Sequence, residues 1–242
     1  PSGITTAPGS GWGVWRDRTR VPDSWVTMPS VITQPPNATQ DSYRTLASLL
    51  LARGDLPISW EEDTSGSGAS DTAEGWLGLG SCLRTPVPVL EVSGSSFSIE
   101  TKSLASINTT ASLFSSPADA QSVLVALDYV RPGGVSNECF KGLLEESFSD
   151  GGMRAVVAKI SVDEGAVPGL SHRIVSVVVD ITEGFDTFSL VMQMTVAVQG
   201  PAILVLGLSG EYGVHTNHDT DLNSAYDAVL GRLVSVYGSE PE

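Results

Sequence analysis

Side-chain chemistry needs particular residue types held close together, and this chain offers three places to look. His215-Thr-Asn-His218-Asp219-Thr-Asp221 gathers two imidazoles and two carboxylates within seven residues, a set able to ligate a divalent ion. Asp219 and Asp221 also suit the first turn of a helix that begins there, where the dipole favours negative charge. Histidines three apart in a loop are a weak ligand pattern, so no metal site is expected at His215 and His218. A serine nucleophile is the second option. Gly207-Leu-Ser209-Gly-Glu211 lacks the last glycine of a nucleophile elbow, and Gly169-Leu-Ser171-His172 makes serine and histidine neighbours in sequence, which is not triad geometry. The carboxylate pairs Glu61-Glu62 and Glu145-Glu146 are the third, but none stands out in a chain with 28 acids, and solvation accounts for them. The strand-like runs hold no obvious buried charge except Asp180, near a strand end. The chain has no P-loop, no GxGxxG after a strand pattern and no CxxC. No catalytic residue is assigned, no cofactor is expected, and the chain is read as not an enzyme.

Binding is the better prospect. Trp60 and Trp76 flank a polar, low-complexity run at 61–75, EEDTSGSGASDTAEG, read as an exposed loop. They are the ligand-binding candidates, beside a concavity between sheet and helices, with ordinary core or edge packing as the competing use of an indole.

The elements that must position such a site follow from periodicity. Residues 1–40 are rich in Pro, Gly, Ser and Thr, with Trp12, Trp15 and Trp25 interspersed, and read as an extended segment. A single domain is expected over 41–238. Tyr43, Leu46, Leu49 and Leu50 have helical spacing behind an Asp41 N-cap, with Gly54 as the stop. Phe97 and Ile99, then Ala105, Ile107, Thr109, Ala111 and Leu113, alternate as strands. Ser116-Pro117-Ala-Asp119 signals a helix entry, and Ala120, Val123, Leu124, Leu127 and Val130 form its apolar face. A second helix carries Cys139, Phe140, Leu143, Leu144 and Phe148. Strands are expected at 154–162, 172–182, 185–198 and 202–209, with tight turns at Glu183-Gly184 and Gln199-Gly200-Pro201. A last helix spans 220–237. The order predicts an α+β fold: an antiparallel sheet of about five or six strands with helices packed on one face.

Charge narrows the partners. The 28 acids against 13 Lys and Arg leave a net charge of −15, which repels nucleic acid and anionic membranes. No run of 18 apolar residues occurs, so no membrane span is predicted. The start at Pro1, without methionine or leader, reads as a mature or trimmed product. Asn37-Ala-Thr and Asn108-Thr-Thr match the glycosylation sequon, a common chance occurrence. Cys82 and Cys139 fit either one disulfide in an oxidising compartment or two buried thiols.

LLLARGDLP at 49–57, Cys82 ahead of the first strands, SLFSSPADAQSVLVAL at 112–127, Cys139 in the next helix, the strands at 172–208 and AYDAVLGRLV at 225–234 resemble a known pattern. Over about 42–236 the chain resembles the actinobacterial extracytoplasmic sensor-domain and lipoprotein family, which includes the outer domain of a mycobacterial receptor serine/threonine kinase. The resemblance implies an antiparallel sheet flanked by helices, a ligand cleft and disulfides, and so favours a Cys82–Cys139 bridge. The kinase version has more than one bridge, whereas this chain has cysteines for one. It further implies an extracytoplasmic site in the cell envelope or secreted, with the polar N-terminal stretch as the tether of a freestanding lipoprotein whose lipid anchor lies upstream of Pro1. The expected function is binding a small molecule or an envelope protein. The alternatives are a hydrolase with an unrecognised site and a structural protein of envelope assembly.

Overall fold

The structure is a computed structural model that describes residues 40–62, 82–100, 104–149, 153–165, 167, 170–211 and 219–238. Within them the order is α1 (Gln40–Leu49), β1 (Glu61–Glu62), β2 (Leu90–Ser93), β3 (Phe97–Glu100), β4 (Leu104–Leu113), α2 (Pro117–Asp128), α3 (Asn137–Phe148), β5 (Met153–Glu164), β6 (Ser171–Glu183), β7 (Asp186–Gln199), β8 (Ala202–Glu211) and α4 (Asp219–Tyr237). A 3-10 turn at Arg53–Asp55 follows α1. The segment 1–39 and the polar run from residue 63 onward lie outside the described residues.

The strands form one eight-stranded antiparallel sheet in the order β1-β3-β4-β8-β7-β6-β5, with β2 also paired to β4. Five or six strands were expected, and the difference lies in β1 and β2, two and four residues long. β1 is two glutamates with no alternation to read, and β2 alternates over only the four residues Leu90–Ser93. Glu61 and Glu62 therefore belong to the sheet, paired with Ser98 and Phe97. β2 and β3 lie end to end along β4. Ser93 pairs with Thr110 and Phe97 with Ile107, so three residues oppose two, a bulge centred on Gly94-Ser95-Ser96. Gly94 suits that position: its N–H donates to the Thr109 carbonyl at 2.8 Å, and an added Cβ would lie 3.0 Å from Thr109 Oγ1.

Local signals explain the helices and turns. Ser116 caps α2, its Oγ accepting from the Asp119 N–H at 3.1 Å, with Pro117 in the first turn. Glu183 pairs with Asp186 and Gln199 with Ala202, leaving two-residue turns that begin at Gly184 (φ 62°) and Gly200 (φ 55°). Glycine adopts that backbone without a Cβ penalty. Helix α1 begins at Gln40, so Asp41 sits in the first turn and is not the N-cap, and the helix ends at Leu49, ahead of Gly54.

The helices pack on both faces of the sheet, not one. Strand alternation decides this. Along β4 and β8, Ala105, Ile107 and Ala111 share a side with Ala202, Leu204 and Leu206. These join Leu46 and Leu49 of α1 and Ala225, Val229, Leu230 and Leu233 of α4 in the front core. Ile203 points the other way, with Val196 and Val198 of β7, Val175, Val177 and Val179 of β6 and Val157, Ile160 and Val162 of β5. That back core is covered by Val123, Leu124 and Leu127 of α2 and Phe140 of α3. The polar alternation of β4 masks this arrangement in the sequence, because its second side is hydrophilic.

Two links fasten the periphery. Cys82 and Cys139 form a disulfide with Cα atoms 5.6 Å apart, joining the chain ahead of β2 to α3. Arg232 of α4 grips Asp55 with two hydrogen bonds, 2.9 Å to Oδ1 and 2.8 Å to Oδ2, and donates to the Leu50 carbonyl at 2.8 Å. Asp55 also accepts from the Ala52 N–H at 2.7 Å. The Arg232 hydrogen bond is the main reason the Asp55 carboxyl is held below its ordinary pKa.

The double variant Cys82→Ser/Cys139→Ser should lose about 4 kcal/mol in urea unfolding, given loop closure across a separation of 57 residues. Alkylation of unreduced protein should label neither cysteine. The depressed Asp55 pKa makes its contribution present above the unfolded value and lost as pH falls through the folded one. Asp55→Asn should therefore lower the melting temperature at neutral pH and converge with wild type in acid. An equal deficit at both pH values would assign the effect to packing.

Candidate functional site

Each helix pair covers only part of its face. Helices α1 and α4 lie over the β2, β4, β7 and β8 region in front, and α2 and α3 lie over β5 to β8 behind. Among the described residues this leaves two helix-free areas, diagonally opposed. The front one spans β5, β6 and β7. Ser161, Ser176 and Gln193 follow one another across its strands, and Val178 pairs with Val191 beside them. Its acid, Asp180, accepts a hydrogen bond from Ser189 Oγ at 2.6 Å. Valines interspersed with satisfied polar groups make this an ordinary exposed sheet face.

The back area, over β2, β3, β4 and one end of β8, has a different composition. On β4 every back-facing residue from Ser106 to Ser112 is polar: Ser106, Asn108, Thr110 and Ser112. The registers set them beside Ser98 of β3, Glu91 and Ser93 of β2 and Ser209 of β8. The hydroxyls are linked in pairs, Ser106 to Ser209 at 2.6 Å and Ser93 to Thr110 at 3.3 Å. Thr110 and Ser112 are buried, at 4% and 1% exposure, and the others are half-buried. Asn108 lies over Gly207, where an added Cβ would come 2.5 Å from its Oδ1. That places the Asn108 sequon in the middle of a central strand. These hydroxyls are withdrawn from water on a sheet face where a folded chain gains most from apolar contact.

Glu91 is the half-buried carboxylate of this face, and Glu61 of β1, paired with Ser98, is an exposed one on the same side. Ser112 Oγ donates to its Oε2 at 3.0 Å, and among the described residues Oε1 receives no hydrogen bond. Burial pushes the carboxyl above the ordinary glutamate pKa, and the Ser112 bond opposes the rise. The strands β2, β3, β4 and β8 contain no Lys, Arg or His. The face can therefore accept and donate hydrogen bonds widely and can attract positive charge, but it offers nothing that would pair with an anion.

The residues picked out by sequence lie elsewhere. Trp60 is a core residue at 0% exposure, packed in the front core and not on the surface. Trp76, His215 and His218 lie outside the described residues. Ser171 and His172 are adjacent on β6 and so point to opposite sides, Ser171 exposed and His172 buried. The imidazole packs against Gly165, where any Cβ would collide with Nε2, and meets the Tyr226 ring at 6.2 Å. Ser209 sits within a strand and not on an elbow. Glu145 does more than face solvent: its Oε1 accepts from the Val157 N–H at 2.9 Å, at the bulge in β5. A recess of about 350 Å³ on α4, lined by Val167, Asp227, Leu230, Gly231, Val234 and Ser235, is mostly apolar and gathers no buried polar group. Sequence reasoning missed Glu91, Ser106, Asn108, Thr110 and Ser112. Their signal was present as the polar half of the β4 alternation, which is the pattern an ordinary solvent face produces.

A raised Glu91 pKa means that, above the unfolded value, the folded protein keeps a proton the unfolded chain releases. Stability is then lost as pH rises through that window. Glu91→Gln, which keeps the Ser112 partner, should raise the melting temperature at pH 8 and leave it unchanged at pH 4. A variant less stable than wild type at pH 8 would show that the carboxylate is stabilised by something beyond Ser112.

No protein-family model matches the chain, and no curated protein matches it either. Among solved structures, the extracellular domain of PknH from Mycobacterium tuberculosis is similar at a TM-score of 0.43 and 12% identity, over 81% of this chain and 96% of that one. A likeness that loose transfers no residue's role. No described helix is long and apolar enough to cross a membrane.

Proposed function

We propose that the chain is a non-enzymatic, sensor-like binding module that works outside the cytoplasm, as a secreted protein or freestanding lipoprotein, and holds a small polar ligand on the back face of its sheet. One observation carries this reading: a half-buried carboxylate, Glu91, with an oxygen open to a new donor, set among Ser93, Ser98, Ser106, Asn108, Thr110 and Ser209. A carboxylate withdrawn from water costs free energy unless it is paired or hydrogen-bonded, and a ligand donor at the open Glu91 oxygen would offset that cost. The Cys82–Cys139 disulfide supports the compartment, since such bridges persist in oxidising surroundings. The opposed directions of Ser171 and His172 speak for binding over hydrolysis, because they separate the one adjacent nucleophile and base among the described residues.

A native mass spectrum of protein purified from its own cells, set against the denatured mass, tests this. The expected result is a non-covalent adduct that leaves on denaturation and is absent from Ser98→Trp, which fills the face from β3. A bare wild-type mass, or an adduct held equally by Ser98→Trp, would move the site away from this face.

A further inference from the structure

The two edges of the sheet are finished differently. One is β1, two glutamates, short and charged. The other is β5, twelve residues long and paired with β6 alone among the described strands. A long free edge offers unpaired N–H and C=O groups to any strand that reaches it.

The chain itself closes half of this edge. The Ala155 N–H donates to Ser149 Oγ at 3.0 Å and the Val157 N–H to Glu145 Oε1 at 2.9 Å, so both amides point away from β6. The bulge between Val157 and Lys159 then shifts the alternation by one residue. Beyond it the Gly165 N–H donates to the His172 carbonyl at 3.4 Å. Odd-numbered residues there face β6, and Ile160, Val162 and Glu164 turn their backbone groups outward. Among the described residues, no strand or side chain bonds those outward groups.

The open half is complementary to itself. We infer that a second copy of the chain docks there, β5 against β5, antiparallel about a two-fold axis at Ser161. In that register Ile160 of each copy pairs with Val162 of the other through their outward backbone groups, which gives four hydrogen bonds. Both side chains lie in the back core, so the apolar side runs on across the seam. Lys159 opposes Asp163, and Ser161 opposes its own counterpart, in the closely spaced pairs that exchange no backbone bonds. Lys159 and Asp163 are exposed, and neither has an ion-pair partner among the described residues. Within one copy they stand four residues apart on a strand, roughly 13 Å, too far to meet. Registers shifted by two would set Lys159 against Ser161 or Gly165, with no charge to pair. The capped Val157 would face Gly165 of the second copy, past the end of its β5 at Glu164. The second strand therefore stops where the closed half begins. Such a contact uses the same patch on both copies and closes as a dimer. It is independent of any ligand on the back face.

The test is sedimentation velocity over a wide concentration range in about 0.15 M salt, where the Debye length of about 8 Å screens the repulsion between two acidic chains. The sedimenting mass should rise with concentration toward twice that of the chain. Amide exchange at Ile160 and Val162 should slow in step with it. Lys159→Asp should weaken the dimer about tenfold or more, by setting like charges opposite one another. Asp163→Lys should do the same although it makes the chain less negative, which separates the local pair from net charge. The double variant Lys159→Asp/Asp163→Lys should restore the dimer. All three substitute exposed side chains, and unchanged melting temperatures would confirm that the fold is intact. A dimer indifferent to both single variants, or one the double variant fails to restore, would overturn this interface. A monomer at every concentration would overturn the second copy and leave the edge to an extended segment of another protein.

Discussion

The register between β4 and β8, from Ala105 against Gly210 to Leu113 against Ala202, joins strands distant in sequence and fixes which side of each is which. β8 follows β5, β6 and β7 in an uninterrupted meander, and only its pairing with β4 brings the first half of the chain into the same sheet. A slip of one residue would exchange the two sides of β4. Ser106, Asn108, Thr110 and Ser112 would then enter the front core under α1 and α4, and Ile107 and Ala111 would face back. The polar face therefore exists because this register holds.

Other features keep the register and the face in place. Thr109 points into the front core, fully buried, and its hydroxyl accepts from the Leu51 N–H at 2.9 Å, tying the end of α1 to the middle of β4. Arg232 reaches from α4 to the same turn through Asp55 and Leu50, so the two front helices are clamped to one another and to the sheet. Behind, the disulfide fixes Cys82, and Ser136 Oγ donates to the Cys82 carbonyl at 3.2 Å. The few residues from there to Leu90 deliver β2, and hence Glu91, to its place on β4. Val89 already joins the ladder, its N–H donating to the Leu113 carbonyl at 2.7 Å. An interaction usually credited to stability also sets the position of the half-buried carboxylate on the face.

The diagonal covering of the sheet has an energetic side. Side chains of β5, β6 and β7 are aliphatic behind and mixed in front, while those of β4 are aliphatic in front and polar behind. Each helix pair goes where apolar area is greatest, since burial of that area is the main favourable term. The back of β4 is left to hydrogen bonds, which contribute less net stability and depend on direction. Direction is what ligand recognition needs, which is why the proposed site lies on the part of the sheet that adds least to the core.

Local sequence by itself determined the α2 entry at Ser116-Pro117, the glycine turns at Gly184 and Gly200, the meander from residue 153 to 211 and the apolar stripe of α4. Each is a matter of neighbours a few residues apart, where propensity, capping and periodicity act. The Cys82–Cys139 pairing needed the family resemblance as well, because two buried thiols leave the same trace in sequence. The tertiary structure decided the rest. It placed Trp60 inside the core, turned Ser171 and His172 to opposite sides, put helices on both faces and recruited β1 and β2 into the sheet. It also gathered polar residues that read as a solvent side into a half-buried face beside Glu91. Alternation tells which residues share a side but not what covers it, and cover is set by contacts between elements a hundred residues apart.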